Sequence, residues 1–211
     1  MSRRSPIELL TLHAVRLLGV AESEAVAARY GLDRETTSEL LLDFEAVGWV
    51  RHSRFAGMGG WSLTDTGRRA GEQMLCDEVN ASDTRPVIEA AHAGFEPLNA
   101  RFQEAVTRWQ LRPSSGDPLA VNDHTDFRWD DRVIADLGSL VRKVVPLCDQ
   151  LSDALARFDG YAGRLETAVA LARDGEVRWI DEVGLDSCHA IWFELHEDLL
   201  ASTGRSRRSP G

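Results

Sequence analysis

At 211 residues, with 43% hydrophobic and 27% charged side chains, the chain has the size and balance of a globular protein of one large or two modest domains. Its apolar runs fall far short of the ~20 residues of a membrane span, and no signal-peptide core follows the basic start, so a cytoplasmic protein without a membrane partner is expected. Cys76, Cys148 and Cys188 are odd in number and lack a C-x-x-C pair, which argues against a disulfide framework and a structural zinc site and predicts small apolar core side chains.

In chain order, Pro6 after Ser5 starts a helix over residues 7–19, with Ile7, Leu10, Leu17 and Leu18 at helical spacing. Ser23 is a candidate cap for a short helix over 23–30 that Gly31 ends. Asp33 opens a third helix to residue 47, whose periodicity places Thr36, Leu40, Phe44 and Val47 on one face. The period then changes to that of a strand over 49–55. A glycine-rich tip follows at 56–60, then a returning strand over 61–64, and Thr64 or Asp65 caps a further helix. Three helices, a hairpin and a helix are the order of a winged helix-turn-helix, assigned to residues 1–79.

After a joint at 80–83, helices are expected over 85–111, 130–158, 161–172 and 186–202, with Pro97 and Pro146 kinking or splitting the first two. Residues 84–204 thus read as an all-α bundle, and 205–211 as a disordered tail. The fold class is mainly α: a winged helix with a two-stranded wing, followed by a helical bundle.

Gly48-Trp49-Val50 and Trp61-Ser62-Leu63-Thr64-x-x-Gly67 resemble the corresponding segments of MarR- and PadR-type winged-helix regulators, over about the first third of the chain. The whole chain also resembles two-domain actinobacterial proteins labelled transcriptional regulators, with counterparts of residues 99–112, 122–124 and 189–200. The resemblance implies a transcriptional regulator that binds double-stranded DNA, and a homodimer whose helical domain responds to a small-molecule effector is the expectation added to it.

In such a fold the third helix enters the major groove and the wing lies over the backbone. Arg34, Thr37 and Ser38 are the candidate base contacts, and Arg51, His52, Arg54, Arg68 and Arg69 the candidate phosphate contacts. Gly57, Gly59 and Gly60 would let the wing approach closely. Charge opposes this assignment: the net charge is −10, residues 1–80 carry nine arginines against twelve carboxylates, and Glu35, Glu39, Asp43 and Glu45 crowd the third helix.

In the bundle, Trp109, the loop residues Asn122, Asp123, His124 and Asp126, and the last-helix residues His189, Trp192 and His196 are the expected effector site. The bland alternatives are turn and cap duty for the loop and buried, carboxylate-paired histidines for the helix. Seven residues of helix rise ~10 Å, too far for His189 and His196 to share one ion. Glu89-x-x-His92 and Asp186-x-x-His189 have the spacing of di-iron bundles, which makes a metal-binding helical protein or enzyme the alternative function, and an interaction scaffold a third. No phosphate-binding or nucleophile motif occurs, so no catalytic residue, metal ligand or cofactor is assigned.

Overall fold

Pro6, extended at ψ 147°, leads into α1 (Ile7–Leu18), and Gly19 ends it in the left-handed region at φ 75°. In this computed structural model, which describes residues 2–55, 58–114 and 116–205 and only the backbone at Phe55 and Met58, α2 (Ser23–Arg29) and α3 (Arg34–Ala46) follow. Asp33 caps α3, its carboxylate accepting from the Thr36 N–H at 2.9 Å. Strands β1 (Val50–Phe55) and β2 (Met58–Leu63) form an antiparallel hairpin in the register Val50↔Leu63 and His52↔Trp61. Ala21 pairs with Trp61 as an isolated third-strand bridge, through bonds of 2.8 and 3.1 Å. Leu12, Val15, Val26, Leu41, Phe44, Val50 and Trp61 close the core of this assembly. Thr64 caps α4 (Asp65–Ala81) by accepting from the Gly67 N–H.

The buried face of α3 is Thr37, Leu41 and Phe44, one residue out of step with the expected face, and Val47 is 60% exposed. Three consecutive leucines at 40–42 allow either register, and packing against the hairpin chooses between them.

The chain divides into two compact units. The first takes Met1–Ile88 together with Ala154–Arg157 and the residues from Glu197. The second takes Glu89–Asp153 and Phe158–His196. The residues that return to the first unit do so by backbone pairing: Arg3 N–H donates to Ala154 O, and Ala156 N–H to Arg3 O at 2.9 Å. The tail at 206–211 and the tip residue Gly57 lie outside the described residues.

The second unit is helical. Its helices are α5 (Arg85–Gln110), α6 (Phe127–Ala154), α7 (Tyr161–Arg173) and α8 (Cys188–Thr203), of which α5, α6 and α8 each run partly in the first unit. Pro97 and Pro146 sit inside α5 and α6 without dividing them. The helix expected over 130–158 stops at Ala154, and a 3-10 turn, Ala156–Phe158, replaces its end. No helix among the described residues is long and apolar enough to cross a membrane.

Candidate functional site

On the first unit, Arg51, Arg54, Arg68 and Arg69 are exposed, as is the side chain of Arg34. They differ in what holds them. Arg34 pairs with Glu24 at 2.9 Å, and Arg68 lies 3.8 Å from Glu197. Among the described residues, Arg69 reaches the Thr66 hydroxyl, at 3.4 Å, and no carboxylate. Among the described residues, neither Arg51 nor Arg54 has a carboxylate at ion-pair distance.

One expected contact, Thr37, is corrected, and a second, His52, is partly occupied by packing. Thr37 is fully buried, its hydroxyl donating to Asp33 O at 2.7 Å, because the α3 register turns it into the core. His52 is half-buried: its ring meets Trp61 edge-on at 4.8 Å, Nε2 lies 3.7 Å from Glu22, and its backbone N–H donates to Glu45. It is therefore a packing residue of the hairpin. Ser38 is half-buried and donates to Arg34 O. The open face of α3 carries Glu35, Glu39, Asp43 and Glu45.

The glycines serve the fold. A Cβ on Gly60, whose φ is 156°, would meet the Ala21 backbone at 2.9 Å, and one on Gly59 would meet Glu22 Oε1 at 2.9 Å. A Cβ on Gly67 would stand 1.8 Å from Trp49 O. The Gly48-Trp49 and Thr64-x-x-Gly67 signatures thus mark the place where the ends of the hairpin meet α4: the Thr64 hydroxyl donates to Gly48 O and its N–H to Trp49 O.

Sequence reasoning missed a buried charge network in the same unit. Arg157 donates to Glu78 (2.8 Å), Asp198 and Ser202 (2.7 Å), and His13 Nε2 lies 3.0 Å from Asp198. Burial would raise the Asp198 pKa, but Arg157 and His13 outweigh it and hold the carboxyl well below the usual range. Burial lowers the His13 pKa, and the nearby carboxylate only partly offsets this. The available signal was polar residues inside apolar stripes, such as His13 within Leu12–Val15.

The second unit holds a cavity of about 600 Å³ walled by Trp109, Phe127, Ile134, Ala172 and Val177, with His124, Asp130 and Arg173 as its main polar groups. The β-bridge between Leu111 and Val121 brings the 122–126 loop back to the end of α5. Asn122, buried, donates to Trp109 O and to Asp130 Oδ1, both at 2.9 Å. His124 Nδ1 lies 3.1 Å from Asp130 Oδ2, and its ring packs on Trp109 at 4.3 Å. The Asn122 amide nitrogen lies 3.2 Å from the same His124 Nδ1, so the ring nitrogen meets both partners of the loop network. His124 also sits at φ 56°, a left-handed conformation that costs a non-glycine residue energy. Asp130 was not singled out in the sequence, because it is one of several carboxylates at the start of α6.

The other expected effector residues are elsewhere. Asp123 accepts twice from Thr125, which keeps its carboxyl below the usual range, and Asp126 accepts from Arg112 and from the first N–H groups of α6. These two are turn and cap residues. Trp192 is buried and stacked on Phe102 at 4.1 Å, with its N–H donated to Asn99. His189, exposed, lies beside Phe102 at 6.4 Å, and His196 beside Phe95 at 5.4 Å. None of these three lines the cavity. The di-iron spacing is not assembled as a site: Asp186 is held by Arg164, and His92 pairs with Glu96. His92, Glu96 and His196 do bring three potential ligand atoms within 4.8 Å of one another. Burial pushes the Cys148 and Cys188 thiols up to about 12, so neither is a thiolate at neutral pH.

Compared with known proteins, the chain matches no family model, no curated protein and no solved structure.

Proposed function

We propose that the chain is a homodimeric DNA-binding regulator of the winged-helix type whose grip on the duplex comes from the hairpin and the start of α4 more than from α3. The observation that carries this reading is the contrast in charge placement. Arg51, Arg54 and Arg69 are exposed with no carboxylate at ion-pair distance among the described residues, whereas α3 shows four carboxylates to solvent. Phosphate contacts need free cations, and each neutralised phosphate adds about 0.9 to the salt slope of binding. Arg34 and the exposed Thr36 are the groups on α3 left for base edges. The resemblance of residues 48–67 to MarR- and PadR-type regulators supports the same reading. In the helical unit, the 600 Å³ cavity has the size and apolar lining of a small-molecule site, with His124 and Arg173 as its orienting groups.

The test is a salt series of binding to duplex DNA from upstream of the protein's own coding sequence. Binding that weakens steeply with salt, with a slope reduced by about three in Arg51/Arg54/Arg69→Ala, is the expected result. Salt-insensitive binding, or none, overturns it.

The exposed Leu42 and Val47 among the acids of α3 favour a second reading, a module that docks a protein. Under that reading the arginine variant changes nothing, and Leu42→Ala weakens partner binding.

A further inference from the structure

We infer that His92, Glu96 and His196 form a transition-metal site, with Zn(II) as its cation, at the junction of α5 and α8 within the second unit. His92 and Glu96 stand four residues apart on α5, so one helix face presents both, and His196 comes from the part of α8 that packs against it. His92 Nε2 lies 3.1 Å from Glu96 Oε1, and His196 Nε2 lies 3.5 Å from the same oxygen. A tetrahedral zinc with bonds of about 2.0–2.1 Å has ligand-to-ligand edges of about 3.3 Å. Two of the three edges are therefore already close to the required length, and all three donor atoms lie within 4.8 Å. Small side-chain rotations complete the cage.

The surroundings suit a held ligand set rather than a chance surface pair. His92 is 3% exposed, and the ring of Phe95, itself buried, packs beside His196 and beside Trp192, whose N–H is anchored by Asn99. This packing limits the rotamers of His196 before any metal arrives. Glu96 is half exposed, so the cluster opens to solvent on the carboxylate side. Three protein ligands and one open side match a zinc site that keeps a water, and they differ from the four-ligand structural type. Two imidazoles exclude a preference for magnesium or calcium, which take oxygen ligands. His189 and Asp186, whose spacing in the sequence pointed to metal, take no part.

The experiment is calorimetric titration of the tag-free, reduced full-length protein with Zn(II), paired with the visible spectrum of the Co(II)-loaded protein. One equivalent should bind, with the intense d–d bands of four-coordinate Co(II). His196→Ala and Glu96→Gln should each weaken Zn(II) binding at least tenfold and bleach those bands, while His189→Ala and Cys76→Ser leave both unchanged. His92→Ala serves as a third variant if its circular dichroism matches the parent, and its site is otherwise covered by His196→Ala and Glu96→Gln. No stoichiometric binding overturns the site. So does binding that survives both His196→Ala and Glu96→Gln, or that is lost in Cys76→Ser.

Discussion

The two units bury polar groups in opposite ways. In the first, Arg157, Asp198, Glu78 and Ser202 bond one another and His13 lies against Asp198, all with side chains shut off from solvent. In the second, Asn122, His124 and Asp130 bond one another at the edge of a cavity, and His124 stays partly exposed on a strained backbone. A polar network that is closed on itself serves the fold, because removing one member leaves a buried charge uncompensated. A network with a partly exposed imidazole beside an apolar cavity has room for a ligand to extend it. The same types of residue therefore carry different meanings according to whether the fold encloses them or leaves them at the edge of a cavity.

The largest effect expected of this difference is on stability. Arg157→Ala should cost about 3–5 kcal/mol in denaturant unfolding, because Asp198 and Glu78 are left as buried charges. A cost below about 1 kcal/mol would mean the network is not closed. The same network sets an acid limb. The folded-state pKa of His13 is lowered from 6.5, so below about that pH the unfolded chain binds a proton that the folded chain does not, and stability falls. Asp198 is lowered from 3.8, so a second loss begins below about pH 4. Unfolding measured from pH 8 to pH 3 should show both losses, and His13→Gln should remove the first.

Gly67→Ala comes next, at about 1–3 kcal/mol, since a Cβ would overlap Trp49 O at 1.8 Å and the hairpin must shift away from α4. Thermal unfolding reads it directly. An unchanged midpoint would show that the signature glycine is there for another reason.

The open network should behave differently. Ala135→Trp places a bulky ring in the cavity from an exposed α6 position and should change stability by no more than about 0.5 kcal/mol. It should also lower the fluorescence of bound anilinonaphthalene sulfonate several-fold. Undiminished dye binding would remove the cavity as a ligand site. No larger in stability are Arg51→Ala and Arg54→Ala, expected within about 0.5 kcal/mol of the parent, because among the described residues neither arginine is held by a carboxylate. Under the proposed function, their effect falls on the salt slope of DNA binding.

Element order and most boundaries were legible before the structure, because helix periodicity, caps such as Asp33 and Thr64, and stop glycines such as Gly19 are local signals. The proposed site was legible only in part. Trp109, Asn122 and His124 do converge, while His189, Trp192 and His196 belong to a separate aromatic cluster with Phe95 and Phe102. Residues such as Asp130 were indistinguishable from their acidic neighbours until Asn122 and His124 of the loop met it on α6.

What the chain alone determined is its mainly helical character, the place of the hairpin and the glycines at its turns, since each follows from interactions spanning a few residues. Which face of α3 is buried, which arginines stay free and which are locked away was decided by packing. Arg157 meets Asp198 across 41 positions and Glu78 across 79. No period of 2 or 3.6 residues records such a pairing, because its energy exists only once the segments meet.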